Sequence, residues 1–394
     1  MYAVTISMRA LSQDGFNQLR QASLDVVAPS LAEEGCLFFD VLFNHERPLE
    51  LRFYEAYTTR EAFEAHLKAP HTQRWVELSM PYVDRQSVML PESASEWMKT
   101  GLRRVVVFGA TGKIGSEVVK LLASDPRCDE VIALSRNPDA LSSQRLTLMS
   151  SKVVVRSSAH DQLSSACAGA TDAFVIAPIS DEMEAWHTRV AQALIDVKVS
   201  HVVKVSVTGA RGPDTHPPPG RFPSLHWAGE EALRNAGLKT TVIRPTIFMQ
   251  HFEMNTGLYT QGDDRFYLPT GDARVSFLDC RDIAAMGHAL LLSPKTVPFH
   301  SGAYELTGPE AITGAEIATV LSAVRGAPVT HVDGEENFVA RCAELGQPDW
   351  PKAVYAEAAG GWFGEVSTHV FEAVVGRKPR SLTHWADDNA LWFT

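Results

Sequence analysis

The chain has 394 residues, more than one average domain of roughly 100–200 residues would use, and its 45% apolar and 21% charged residues exclude disorder as the main state. A net charge of −11, shared by both halves without any Lys/Arg run, argues against nucleic acid and against an anionic membrane as partners. The longest apolar runs fall far short of the ~20 residues that span a bilayer.

The opening MYAVTISMRALSQDG has no basic start, apolar block or cleavage site, so no secretory signal is read and a cytoplasmic location is expected. The 5 cysteines show no CxxC spacing, which predicts neither a disulfide framework nor a zinc site. From the N-terminus, the pattern predicts a strand over Tyr2–Arg9, a helix over Ser12–Ala32 and strands over Cys36–Phe43 and Leu51–Tyr57. A helix over Arg60–Leu67 and a strand over Tyr82–Leu90 complete the set, with Arg47-Pro48 turning the central hairpin. Strand–helix–strand–strand–helix–strand is the ferredoxin-like α+β order. The stretch PESASEWMKTG at 91–101 breaks the composition; we read a first domain at 1–98, a linker at 99–102 and a second domain at 103–394.

The second domain alternates strands and helices. Strands are expected at Arg104–Phe108, Glu130–Leu134, Val153–Arg156, Ala173–Ile176, His201–Ser206 and Thr240–Ile243. The intervals leave room for crossover helices, so the fold class is α/β with a doubly wound, parallel Rossmann sheet. The last hundred residues lose this rhythm and predict a small substrate lobe, mainly 300–394.

Val105–Phe108 is an apolar strand leading into Gly109-Ala110-Thr111-Gly112-Lys113-Ile114-Gly115 and then an apolar helix. Glycines at this place allow a sharp turn, let backbone N–H groups approach a pyrophosphate and let the helix pack closely. After the second strand the chain reads Leu134-Ser135-Arg136. An acidic residue there would accept the ribose hydroxyls of NAD, whereas a cation suits the 2′-phosphate of NADP. NADP(H) is therefore preferred over NAD(H).

Residues 103–394 resemble the NmrA-like atypical short-chain dehydrogenases. The resemblance rests on GATGKIG at 109–115, VVKVSVTGA at 202–210, LHWAGEEALRNAGLKTTVIRPTIF at 225–248, FLDCRDIA at 277–284 and YELTGPEAITGAEIA at 304–318. It implies that Gly109, Thr111, Gly112, Lys113, Ile114 and Gly115 hold the pyrophosphate and that Arg136 meets the 2′-phosphate. It further implies that Ala177 and Pro178 border the nicotinamide ribose, with Pro245 and Thr246 under the nicotinamide. Where relatives carry an acidic residue near the adenine, this chain has Val155-Arg156-Ser157-Ser158. The family contains NADP-dependent quinone reductases and also redox sensors that bind the dinucleotide without turnover.

Ordinary short-chain dehydrogenases use a Tyr-x-x-x-Lys pair to move the proton; the corresponding place here holds His226-Trp227-Ala228-Gly229-Glu230. His226 and Glu230 share a helix face, so the carboxylate can orient a histidine acting as acid near neutral pH. The alternative is that His226 lines the wall and Glu230 pairs elsewhere. Lys204, beside Ser206 on a strand, is a further polar candidate. Trp227, Phe248, Phe252 and Tyr259 would shape an aromatic pocket or serve as core.

Residues 1–90 resemble the antibiotic biosynthesis monooxygenase (ABM) family through LRFYEAYTTREAFEAHLKAPHTQRWVE at 51–77. Members oxygenate quinols or anthrones without metal or flavin, which implies an apolar pocket, O2 as co-substrate, a homodimer formed through this domain and a base. His66 is the candidate base unless it is a satisfied structural histidine or the domain only dimerises. The expectation for the chain is an NADP(H)-dependent oxidoreductase of a quinone or related aromatic, polyketide-like substrate, with cofactor-free quinol oxygenation in the first domain. No metal or flavin is expected. The alternative is an NADP-sensing regulator whose first domain only dimerises.

Overall fold

The computed structural model describes residues 2–43, 49–83, 88–92, 103–159, 162–215, 220–253, 258–292, 302–347, 351–361 and 363–393. The linker expected at 99–102 and the Arg47-Pro48 turn lie outside the described residues. The chain forms two compact units, Met1–Gly101 and Leu102–Thr394.

In the first unit, strands β1 (Tyr2–Arg9), β2 (Cys36–Phe43), β3 (Glu50–Tyr57) and β4 (Val88–Glu92) form an antiparallel sheet in the order β2-β3-β1-β4. Helix α1 (Gln13–Leu31) starts where Ser12 Oγ accepts the N–H of Gly15, and it buries Phe16, Leu19, Ala22 and Val26 on the side facing the sheet. Thr59 caps α2 (Arg60–His66) in the same way. A third helix, α3 (Pro70–Ser79), was not expected; Pro70 at its first turn ends α2 and starts a new axis. The strand expected over Tyr82–Leu90 is Val88–Glu92, because Met80–Tyr82 closes as a 3₁₀ turn.

The second unit contains β5 (Arg103–Val107), α4 (Lys113–Ser124), β6 (Cys128–Ser135), α5 (Leu141–Thr147), β7 (Val153–Ser157), α6 (Leu163–Ala166), β8 (Asp172–Ile176), α7 (Met183–Asp196), β9 (His201–Val205), α8 (Arg221–Asn235) and β10 (Thr240–Pro245). Beyond these come β11 (Arg265–Tyr267), α9 (Cys280–Leu292) and β12 (Gly302–Leu306). The seven-stranded parallel sheet has the order β12-β10-β9-β8-β5-β6-β7. Val105 and Val107 pack on α4 and α9, whereas Val106 and Phe108 pack on the side of α7. Strand order reverses between β5 and β8, and ligands of such sheets bind in the crevice at that point.

Strand β12 lies in the stretch expected to be lobe. Among its five positions only Leu306 is buried, so no apolar run marked it as a strand. The lobe also begins earlier than residue 300: its core joins Phe252, Phe266 and Phe277 to Trp385 and Phe393. Of the pocket candidates, Phe252 and Tyr259 are therefore core side chains, 0% and 4% exposed.

Candidate functional site

The chain leaves β5 through a turn that only glycine fits. Gly109 has φ +72°, and its N–H···O partner is close: Gly112 N donates to Gly109 O at 3.0 Å. A Cβ on Gly115 would stand 2.1 Å from Gly109 O, so α4 could not approach the turn with any larger residue. Gly112 caps α4 without a side chain, and no acidic residue sits in the first turn. The leading N–H groups and the positive helix end thus have no side-chain anion of their own, which is the arrangement that receives a phosphate.

The other expected cofactor residues divide. Thr111 is exposed beside the turn. Ile114 is buried in the core, and Lys113 Nζ is held by Glu253 at 2.8 Å, so both can offer a phosphate their backbone N–H groups rather than their side chains. Arg136 is exposed just past β6 and has no hydrogen bond or ion pair among the described residues. The turn carrying it is fixed by Ser135, whose hydroxyl accepts from Asn137 N at 3.1 Å and from Ser143 Oγ at 2.8 Å. Arg156, at the place of the missing acidic residue, donates to Glu130 at 3.0 Å and to the carbonyls of Ala166 and Ala168.

Ala177 and Pro178 follow β8 across the crevice from Gly109, whose Cα hydrogen approaches Ile176. Pro245 ends β10; its carbonyl accepts from Thr208 N at 3.0 Å. Thr246 is buried with its hydroxyl donating to Ser276 O at 2.6 Å, so that hydroxyl is already engaged.

Beneath α7 and α8 the expected pairing of His226 with Glu230 does not form. Glu230 accepts from Arg244 at 2.7 and 3.1 Å, and the Ser206 hydroxyl donates to it at 2.5 Å. A carboxylate at 1% exposure needs that compensation, and Arg244 supplies the charge. Lys204 is completely buried, with Nζ donating to Val205 O at 3.2 Å. Desolvation lowers its pKa to about 8, against the pull of Glu230. His226 is held well below the usual histidine range by burial, by Lys204 and by His187, so it is neutral at pH 7 rather than a cationic acid.

Sequence reasoning missed two members of this cluster. Arg244 is a lone charge in an apolar strand. His187 lies on the inward stripe of α7 with Met183, Val190 and Leu194; burial and Lys204 push its pKa down to about 3. Its Nδ1 lies 2.8 Å from Met183 O, while its Nε2 and the Nδ1 of His226 have no hydrogen-bond partner among the described residues. Gly229 makes the packing possible, because a Cβ there would lie 2.5 Å from the His187 ring.

In the first unit, His66 is 3% exposed with Nδ1 2.9 Å from Glu33 Oε1. His71 Nε2 reaches the same oxygen at 2.6 Å, though misaligned for a hydrogen bond. These three are the one group among the described residues whose imidazole and carboxylate atoms, all within 4.8 Å, are close enough to share a cation.

The second unit is a doubly wound Rossmann unit whose glycine turn lies at the switch point. It belongs to the NmrA-like family, whose model matches residues 102–383, and residues 1–78 match the antibiotic biosynthesis monooxygenase model. The NAD(P)H azoreductase of Xenophilus azovorans is 32% identical over 302 residues, covering 73% of this chain and 99% of that protein. Two solved structures share the fold. The NADPH-dependent quinone oxidoreductase QOR2 of Escherichia coli superposes with TM-score 0.61 at 22% identity, over 72% of this chain and 99% of that one. The triphenylmethane reductase of Citrobacter sp. gives 0.62 at 22% identity, over 74% and 99%. No described helix is long and apolar enough to cross a membrane.

Proposed function

We propose that the second unit is a cytoplasmic reductase that transfers hydride from NADPH, in preference to NADH, to a quinone or a related planar aromatic acceptor. The carrying observation is the Gly109–Gly115 turn with its uncapped helix at the β5/β8 switch point, followed past β6 by the exposed Arg136. In this reading the backbone of Gly109, Thr111, Gly112, Lys113, Ile114 and Gly115 cradles the pyrophosphate, and Arg136 meets the 2′-phosphate. Ala177, Pro178, Pro245 and Thr246 border the nicotinamide end.

Hydride transfer to a quinone leaves a stabilised hydroquinone anion, so ring positioning matters more than a strong acid. That suits a site with no Tyr-x-x-x-Lys pair and with His226 neutral. Lys204, with a pKa of about 8, is then the proton reservoir of the cluster, and Glu230 holds Arg244 and Ser206 in place. The azoreductase relative supports an electron-poor aromatic acceptor. The first unit is proposed to oxygenate the resulting quinol with O2, and to pair with a second copy through its sheet.

The test is NADPH consumption by the full chain against a panel of quinones and azo dyes. Sustained turnover with at least one acceptor supports the reductase. Tight NADPH binding without turnover on any of them would favour the alternative, an NADP sensor, for which the absent tyrosine–lysine pair speaks.

A further inference from the structure

Inside the first unit lies a cavity of about 260 Å³ with apolar walls that include Phe39, Phe53, Trp75 and Met80. Few of its lining residues are polar, and one is a carboxyl. Glu55, on β3, is 4% exposed; Tyr57 Oη donates to its Oε2 at 3.0 Å, and its Oε1 has no hydrogen-bond partner among the described residues. His66 also lines the cavity, but its Nδ1 is taken by Glu33 and its Nε2 stands 3.9 Å from Glu55 Oε2. Thr72 Oγ1 lies 3.4 Å from each ring nitrogen, so Glu33 and Thr72 hold the ring, while one oxygen of Glu55 is uncommitted among the described residues at the wall of an apolar space.

We propose that this cavity binds a phenol or hydroquinone of one or two fused rings and that Glu55, rather than His66, accepts its hydroxyl proton. The inference rests on reading the first unit as an aromatic-substrate domain. An apolar cavity of about 150 Å³ holds benzene, so the larger volume here leaves room for a second ring. In the step, the phenolic O–H bond breaks, its electron pair stays on the phenolate oxygen and the proton moves to Glu55 Oε1; nothing is oxidised or reduced. A phenol is the weaker acid in water, and burial narrows the gap because it destabilises the compact carboxylate of Glu55 more than an anion spread over a ring. The pKa of Glu55 supports this: burial raises it to about 7, against the lowering effect of the Tyr57 hydrogen bond and with Glu33 raising it further. Of the other titratable groups nearby, Cys36 and Tyr57 are raised by burial and stay protonated, His66 is lowered by burial, and Glu33 and His71 meet beside His66.

The probe is 2-naphthol, a two-ring phenol that becomes strongly acidic on excitation and emits as the anion where a base, bulk water included, is in reach, so emission is read from the bound probe after the free-probe signal is subtracted. Added anaerobically to the full chain at pH 8, it should bind saturably and emit as the naphtholate. In Glu55→Gln it should bind within about threefold of the wild-type affinity and emit as the neutral naphthol, whereas His66→Asn should keep the anion emission. In the wild-type chain the anion emission should fall away as pH drops through about 7, which reads the same group if the variants fold poorly. Absence of saturable binding, or anion emission that survives Glu55→Gln, overturns the proposal. Because no O2 is present, a first unit that inserts no oxygen would still show Glu55-dependent emission, and the two failures stay distinct.

Discussion

A lysine with no exposed surface keeps its charge only where other charges offset the lost hydration. Lys204 has Glu230 for this, but Arg244 opposes it, and the balance leaves its pKa at about 8 instead of the ordinary 10.5. Between those values the unfolded chain binds more protons than the folded one, so stability arising from this site rises with pH across that window. The gain is at most about 3 kcal/mol. Urea midpoints at pH 8 and pH 10 should show the rise in the wild-type chain and a smaller one in Lys204→Met. If Lys204 feeds the proton, kcat with a quinone should also fall above about pH 8, and Lys204→Met should remove that limb. His226 is neutral at pH 7 and can offer only a hydrogen bond, so His226→Ala should lower kcat roughly tenfold, not the 10²–10⁴-fold of a lost acid. A loss in the larger range would return His226 to the acid role. Arg136→Asp removes a cation and adds repulsion, so NADPH should bind weaker by a few kcal/mol or less while NADH changes little. Calorimetric titration with both nucleotides checks it. Spacing in the sequence put His226 and Glu230 on one helix face, but it gave no link from them to Lys204, a separate candidate on a strand that could equally have faced solvent. Nor could it tell which partner Glu230 would take, because the competing Arg244 comes from strand β10, fourteen residues beyond this helix position.

Element by element, the glycine turn is the clearest case of local sequence dictating geometry. Gly115→Ala puts a Cβ where Gly109 O and Ala110 Cα already are, at 2.1 and 2.9 Å, and backbone cannot yield as a flexible side chain can. The turn must open, so NADPH affinity should fall at least tenfold and the melting temperature should drop as well; unchanged affinity would mean that the turn does not hold the cofactor. The same locality explains why the strands at 103–107, 128–135, 172–176, 201–205 and 240–245 were legible: each carries an apolar run, as a strand inside a covered sheet must. The edge strand at 153–157 was legible from its three successive valines, although only Val153 is buried. Strand β12 is an edge with one buried side chain, and nothing in its sequence separates it from a loop. Helix α3 was hidden for another reason, since its proline reads as a terminator unless the following turns are known to pack Trp75 against Phe53, with ring centroids 5.0 Å apart.

At the scale of the whole chain, the open matter is why a reductase-type unit and an ABM-type unit are encoded together. The second unit corresponds to 99% of the length of a relative that consists of that unit alone, so residues 102–394 are expected to fold and reduce quinones by themselves. A hydroquinone released into air reoxidises and wastes NADPH. A tethered consumer meets it at roughly millimolar effective concentration, before it escapes. The fused chain is therefore expected to couple NADPH oxidation to oxygen insertion: the reductase unit supplies two electrons to the quinone, and the hydroquinone, ionised in the first unit, supplies electrons to O2. With NADPH, a naphthoquinone and isotopically labelled O2, mass spectrometry should find a labelled, hydroxylated product from the full chain and only unlabelled hydroquinone from residues 102–394. Glu55→Gln in the full chain should leave NADPH consumption intact while removing most of the labelled product. Should both forms stop at the same unlabelled hydroquinone, the first unit has no part in oxygenation, and pairing with a second copy is the role left for it.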